Sequence, residues 1–260
     1  MKERSIDKEV HVYGERWQTI HDGYFSDPKA AAALLDEVEK IVEISHPSAI
    51  ADLGGGTGFI LRELARRLDL PGLRLINVDI SPEQLYACDD RRIIAIQASA
   101  SRFTRNRLHA EEGELLLIVR SLLHYFGRSD VRHLLRHIRC QLKSGEFFIH
   151  QSACFLHSED AGCMNLIYSL MGTDKWYGTI DEMEKILDEE GWEVCRTIPA
   201  PKLHLSSQDL SERYDFSPVR VKMIQDEVER HYGQRPGIFA ITDVGFDAWL
   251  HYRIFVCRAK

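Results

Sequence analysis

The sequence predicts an α/β protein with a doubly wound, mostly parallel sheet and helices on both faces. Three observations predict it. Strand and helix signals alternate from about residue 49 to residue 149. The first strand runs directly into a glycine cluster and then a helix. Acidic residues, Asp52 and Asp79, stand at the ends of the first two strands.

Asp27-Pro28 reads as the N-cap and first position of a helix over Ala30 to Glu43, whose Leu34, Leu35, Val38, Ile41 and Val42 share one face. Ala49 to Leu53 is a short apolar strand, Phe59 to Leu68 a helix and Leu73 to Val78 a strand. Ser81-Pro82 caps a short helix, and Ile93 to Ile96 and Glu114 to Val119 are strands. Val131 to Leu142 is a helix with Val131, Leu134, Leu135, Ile138 and Leu142 inward, and the Lys143-Ser144-Gly145 turn leads to a strand from Glu146 to Ile149. Further on, Thr179-Ile180-Asp181-Glu182 is a capping box opening a helix that stops at Gly191. Trp192 to Ile198 is a strand, Ser217-Pro218 starts a helix facing inward with Val221, Ile224 and Val228, and Trp249 to Cys257 is the final strand.

Composition excludes several function classes. The chain has 260 residues, 44% hydrophobic and 28% charged, enough for a full core without a structural metal. A net charge of −7 disfavours a nucleic-acid binder working through a broad basic surface. No run of roughly 18 uncharged apolar residues suggests a membrane span, and the start, MKERSIDKEVHVYGERW, does not read as a signal peptide. The six cysteines (Cys88, Cys140, Cys154, Cys163, Cys195, Cys257) form no C-x-x-C pair and read as buried thiols of a cytoplasmic protein.

Chemistry concentrates in Ile50-Ala-Asp-Leu-Gly-Gly-Gly-Thr-Gly-Phe-Ile60. Its spacing is Asp-x-Gly-x-Gly-x-Gly rather than G-x-G-x-x-G, and no Lys-Ser/Thr follows, so neither the dinucleotide nor the P-loop signature fits. Glycines at 54, 55, 56 and 58 permit a tight turn and close approach of a ligand to the backbone. A carboxylate such as Asp79 at a strand end can accept both hydroxyls of a ribose. Against this, Asp52 could simply cap the glycine turn and Asp79 the Ser81 helix.

The segment resembles the class I, Rossmann-like S-adenosylmethionine-dependent methyltransferase family. The resemblance covers roughly residues 45 to 200 and the C-terminal strand, and it implies a seven-stranded sheet with the last strand antiparallel. It also implies S-adenosyl-L-methionine as cofactor, with Asp52, Gly54, Gly55, Gly56 and Gly58 along its methionyl and ribose region, and Asp79 on the ribose hydroxyls with Ile80 beside it. Gln97-Ala-Ser-Ala-Ser-Arg-Phe103 aligns with the family's adenine-side loop; where the family usually has an acidic residue this chain has Ser99, next to Ala100. Arg120 and Ser121 open the family's fourth motif. The single domain 1–260 then divides into an N-terminal helical cap (1–45), a cofactor-binding core (46–200), an insertion or lid (206–247) and the last strand (248–260).

Ligands of such sheets lie beyond the strands' carboxyl ends, which places Arg120, Ser121, His124, Tyr125, His150 and Gln151 near the pocket. His124 is the candidate general base, because an ordinary imidazole titrates near neutrality; alternatively it is packed for structure. Arg120 either holds an acidic substrate or pairs with a carboxylate. His133 and His137, one turn apart, fall opposite their helix's apolar face, so no metal site is expected. In the insertion, Tyr214, Phe216, Phe239 and Phe246 line an acceptor pocket or form a small core of their own. The leading expectation is methyl transfer to an O, N or C atom of a small molecule; a protein acceptor or cofactor binding without catalysis are the alternatives. The N-P-P-Y/F signature of base-amine methyltransferases is absent, Arg120-Ser121-Leu122-Leu123 standing in its place.

Overall fold

A computed structural model describes residues 23–68, 71–110 and 114–260. Tyr13 and Trp17, the first aromatics of the expected cap, lie outside the described residues. In chain order the elements are α1 (Pro28–Ser45), β1 (Ala49–Leu53), α2 (Phe59–Arg67), β2 (Arg74–Asp79), α3 (Pro82–Tyr86), β3 (Ile93–Gln97), β4 (Leu115–Arg120), α4 (Gly127–Cys140), β5 (Phe147–Ala153), α5 (Ser158–Leu170), α6 (Ile180–Glu189) and β6 (Trp192–Pro199). These are followed by β7 (Leu203–Ser206), α7 (Ser207–Tyr214), α8 (Pro218–Tyr232), β8 (Phe239–Thr242), β9 (Gly245–Leu250) and β10 (Tyr252–Ala259).

The main sheet has seven strands in the order β3-β2-β1-β4-β5-β10-β6. Strands β1 to β5 are joined by parallel ladders, and β10 runs antiparallel to both of its neighbours. The period of two sorts the strand residues into two cores. Ala49, Ala51, Leu53, Val78, Leu117, Val119 and Phe148 pack under α4 and α6. Ile50, Leu75, Leu116, Ile118, Ile149, Ile254 and Val256 pack under α1 and α2. Helix α1 therefore forms a layer on a sheet face: Leu34, Leu35, Val38, Ile41 and Val42 are buried there, each worth about 1.5–3 kcal/mol. Its start follows the sequence, with Asp27 accepting from the Lys29 amide at 2.9 Å and Pro28 in the first turn. The Thr179–Glu182 capping box forms in both directions. A buried ion pair fixes the base of β4 and β5: Glu146 accepts from Arg105 at 2.6 and 2.7 Å and from the amides of Leu115 and Lys143.

Three elements depart from expectation. Strand β5 does not stop at Ile149 but continues through His150, Gln151 and Ser152, all buried; His150 sits between the rings of Phe148 and Phe255 and bonds Ser152, and Gln151 donates to Tyr24. The run Trp249 to Cys257 is two strands, not one. The chain breaks at His251, whose Nε2 bonds the Gly237 carbonyl at 2.8 Å, so that Trp249 and Leu250 close β9 while β10 begins at Tyr252. Helix α5 was not expected: Ala161, Cys163, Met164, Ile167 and Tyr168 are buried on one side, but the apolar Leu166 and Leu170 stand on the partly exposed side and blur the pattern.

Between β6 and β10 the chain builds a second sheet, antiparallel in the order β7-β9-β8, with α7 and α8. Its core contains Leu203, Leu205, Leu210, Ile224, Val228, Phe239 and Phe246 and is continuous with α5. Among the described residues, no helix is long and apolar enough to cross a membrane.

Candidate functional site

The alternation that builds the two cores also builds the site. Asn77 and Asp79 of β2, Asp52 of β1, Arg120 of β4 and Gln151 of β5 share the α1–α2 side of the sheet, near the carboxyl ends of neighbouring strands. All but Arg120 are buried, and Arg120 nearly so.

The glycine turn is held by side chains of β2. Asp79 Oδ2 accepts from the Gly56 amide and Oδ1 from the Ser81 amide, both at 2.9 Å. Asn77 Nδ2 donates to the Gly56 carbonyl at 2.8 Å. Gly54, Gly56 and Gly58 have φ of 72°, 54° and 74°, where a Cβ is disfavoured. Gly55 is required for space: a Cβ there would meet Asn77 Oδ1 and come within 2.7 Å of Asp52 Oδ2. The cap of α3 is Ser81, whose hydroxyl accepts from the Gln84 amide at 3.2 Å; Asp79 holds the amide of that cap residue and the glycine turn together.

Asp52 does not cap that turn. Its Oδ1 is buried without a hydrogen-bond partner, as are Asn77 Oδ1 and Arg120 Nε. Burial pushes the Asp52 carboxyl up to about 7, against the lowering effect of Arg120 and with a small further push from Asp79. Burial likewise raises Asp79, while the amides of Ser81 and Gly56 restrain it. Among the described residues Arg120 pairs with no carboxylate directly. It donates to the carbonyls of Phe25 at 3.0 Å and Tyr24 at 3.3 Å, and its guanidinium lies 5.4–5.8 Å from the rings of Tyr24, Phe25 and Phe59. Tyr24 ties this corner to the far side of the sheet, donating to the Pro201 carbonyl at 2.7 Å and accepting from Gln151 at 3.2 Å.

Past β3, Ser99 Oγ bonds Ser101 Oγ at 2.9 Å, Ala100 is buried, and Ile80 is 44% exposed beside Asp79. Past β4, Ser121 takes φ of 59°, uncommon for a residue with a Cβ. Two bonds hold it: its amide to the Gln151 carbonyl at 2.8 Å, and its hydroxyl to Tyr252 OH at 2.5 Å.

His124 lies in a short 3-10 turn after β4, its ring stacked on Tyr177 at 5.3 Å and its Nδ1 buried without a partner. Burial, and then the positive charges of Lys175 and Arg213, hold its imidazole well below the ordinary histidine range. Burial thus moves His124 away from the titration of an ordinary imidazole. His150 is not at the ligand end. It is fully buried in β5 between Phe148 and Phe255, bonds Ser152 at 3.0 Å, and is pushed down to about 3 by burial. His137 bonds the Phe103 carbonyl at 2.9 Å rather than facing solvent.

The insertion's aromatics share one core: Phe239, Phe246 and Tyr214 are buried in it and Phe216 packs against it, Tyr214 also stacking on Phe216 and accepting from Lys175. Asn77, Tyr24 and Lys175 escaped the sequence reading. Asn77 had a signal, a polar residue inside the apolar run Leu-Ile-Asn-Val; Tyr24 and Lys175 had none, since both arrive from segments distant in sequence.

Residues 50–145 match a family model described as a methyltransferase domain. No curated protein sequence matches the chain. Among solved structures, a protein of Bacillus halodurans assigned as a methyltransferase superposes with a TM-score of 0.65 at 14% identity, covering 87% of this chain and 98% of that one. A 1,6-didemethyltoxoflavin-N1-methyltransferase of Burkholderia thailandensis, with 1,6-didemethyltoxoflavin and S-adenosylhomocysteine bound, gives 0.55 at 14% identity over 99% of this chain and 88% of that one. Magnesium protoporphyrin IX methyltransferase of Synechocystis, with S-adenosylhomocysteine bound, gives 0.54 at 11% identity over 99% and 95%. At such identities the likeness is one of fold.

Proposed function

We propose that this chain, a methyltransferase by its domain and a class I enzyme by its fold, moves the methyl group of S-adenosylmethionine to a small-molecule acceptor. The observation that carries the cofactor assignment is the row of buried, incompletely satisfied polar groups at the strand ends. Asp52 Oδ1 and Arg120 Nε lack partners beside a turn where an added Cβ would collide. An unsatisfied buried polar atom costs about 1–3 kcal/mol, so such a row fits a ligand that supplies the missing partners.

The residues fit the cofactor in kind. The methionyl ammonium would pair with Asp52 and the methionyl carboxylate with Arg120. The ribose hydroxyls would donate to Asp79, whose oxygens are already oriented by Gly56 and Ser81. Ile80 would offer an apolar surface to the adenine, with Ser99 and Ala100 as the further residues of that side of the site. Gly54, Gly55, Gly56 and Gly58 let the backbone approach. Bound there, the cofactor supplies an activated methyl on a sulfonium, and the protein's task is to align the acceptor and exclude water.

His124 acts as a neutral hydrogen-bond acceptor for the incoming nucleophile rather than as a strong base. Ser121, fixed in an uncommon conformation by Tyr252, shapes the same floor. The toxoflavin enzyme, whose acceptor is a small molecule, covers nearly the whole chain. The cysteines are free thiols, which suits a reducing, cytoplasmic setting.

Isothermal calorimetry with S-adenosylhomocysteine tests the cofactor assignment, and absence of binding at high micromolar concentration refutes it. An acceptor screen read by release of the homocysteine product tests the transferase assignment. Turnover confined to macromolecular fractions would overturn the small-molecule reading.

A further inference from the structure

The turn over residues 23–26, ahead of α1, carries two aromatic residues onto the carboxyl end of β4. Ser26 closes it, its amide and hydroxyl both donating to the Gly23 carbonyl, at 2.9 and 3.0 Å. Arg120, the last residue of β4, holds the turn through the carbonyls of Tyr24 and Phe25, while its Nε is left without a partner. Of the three rings around the guanidinium, those of Tyr24, Phe25 and Phe59, Tyr24 alone has a hydroxyl. That hydroxyl is engaged twice, donating to the Pro201 carbonyl at 2.7 Å and accepting from Gln151 at 3.2 Å. The Tyr24 ring also stacks on Tyr252, with centres 5.7 Å apart and planes at 23°. Tyr252 in turn bonds Ser121, so one pair of stacked rings restrains two consecutive residues of the site, Arg120 and Ser121.

We propose that Tyr24 is a positioning residue for the cofactor: anchored on β5, β10 and the segment after β6, it presents the Arg120 guanidinium to the methionyl carboxylate. This rests on the methyltransferase reading above and adds to it a residue that acts through Arg120. Recognition of a carboxylate by arginine depends on the plane of the guanidinium fork as well as on its charge. Among the described residues no acidic side chain pairs with Arg120 to set that plane. Tyr24 supplies the restraint instead. Its carbonyl fixes one N–H edge at 3.3 Å, and its ring lies 5.4 Å from the guanidinium carbon. A guanidinium has five N–H donors, and with Nε unpartnered it keeps donor capacity for an anion. Asp79, on the ribose side, is held by Gly56 and Ser81 instead, so loss of Tyr24 is felt at one end of the ligand only.

Two ligands separate those ends. S-adenosylhomocysteine carries the amino-acid carboxylate; 5′-methylthioadenosine keeps the adenine, ribose and thioether and lacks it. Calorimetry on the full-length protein should find the first bound about tenfold or more tightly than the second. Tyr24→Leu, which removes ring and hydroxyl but keeps bulk, should weaken the homocysteine product about tenfold and leave 5′-methylthioadenosine within about twofold. Tyr24→Phe keeps the ring face and should recover most of that loss, binding the product about two- to threefold more weakly than wild type. In an Arg120→Met background, Tyr24→Leu should change product affinity by less than about twofold, because the two residues act as one unit. Thermal unfolding verifies that each variant is folded; if Tyr24→Leu is not, Tyr24→Phe decides alone, by its loss of product affinity with none for 5′-methylthioadenosine. Equal weakening of both ligands marks a merely structural role. That result, no weakening at all, or an additive loss in the Arg120→Met background overturns the proposal. A wild-type protein that binds the product no better than 5′-methylthioadenosine also overturns it, by removing the carboxylate pairing on which it depends. Failure of the wild type to bind either ligand refutes instead the cofactor assignment, so the two failures are distinguishable.

Discussion

Asp52 offers the sharpest test of the site's electrostatics, because its carboxyl is fully buried and held at about 7 instead of 3.8. Between those values the native chain keeps a proton that the unfolded chain has released. The unfolded state therefore binds fewer protons there, and stability falls as pH rises through the window, the full cost being present above about pH 7. At about 1.4 kcal/mol per pH unit the whole effect is ~4 kcal/mol, of which roughly two-thirds falls between pH 5 and 8. Asp52→Asn removes the titration while keeping the shape. Urea unfolding of both proteins at pH 5, 6, 7 and 8 should show the variant gaining ~2–3 kcal/mol on the wild type across that range. The difference between the two isolates Asp52 from the buried imidazoles, whose effect has the opposite sign. Saturating S-adenosylhomocysteine should flatten the wild-type curve by giving the carboxylate its ammonium partner. Parallel stability–pH curves for the two proteins without ligand would refute the argument.

Other perturbations probe separate parts of the molecule. Asp79→Asn must turn an NH2 toward either the Gly56 or the Ser81 amide, both now at 2.9 Å from a carboxylate oxygen; the expected results are a loss of about 1–3 kcal/mol in urea unfolding and at least tenfold weaker homocysteine-product binding in calorimetry. Glu146→Ala leaves Arg105 and two amides without their shared carboxylate, and should cost about 3–5 kcal/mol with product affinity per folded molecule unchanged. NMR of the imidazole nitrogens should find His124 neutral from pH 8 down to pH 6, because burial and two cations depress it. As a depressed base it takes up its proton only on unfolding, so it lowers stability as pH falls below about 6.5. An imidazolium signal from His124 at pH 6.5 would refute its assignment as a neutral acceptor.

The main sheet was legible because each strand up to β4 is closed by a turn or glycine signal and each helix is either capped or amphipathic. The site's first two members were legible for the same reason: Asp52 and Asp79 stand at strand ends, where position in sequence nearly is position in space. Arg120 was visible as a residue but not as a contact, since Tyr24 and Phe25 reach it from almost a hundred residues away. Polar strand interiors were misjudged at His150 and Gln151, where the ladder continues under cover of long-range packing. Helix α5 was missed because Leu166 and Leu170 place apolar side chains on its partly exposed side, which blurs the helical period. The joint at His251 left no trace in the apolar run Trp-Leu-His-Tyr-Arg-Ile; only the pairing of the two flanking strands with different sheets reveals it.

That joint has an engineering consequence. Ala200, just past β6, donates its amide to the Tyr252 carbonyl at 3.0 Å, so the chain leaves the main sheet and re-enters it at one stitched point. The segment from β7 to β9 leaves and re-enters here, while its core stays shared with α5 and Arg235 pairs with Asp160 of that helix. A foreign cassette joined between Ala200 and His251 would leave all seven strands of the main sheet in register, together with the Ser121–Tyr252 bond. Replacing this segment is thus a two-junction splice whose insert must also present an apolar face to α5.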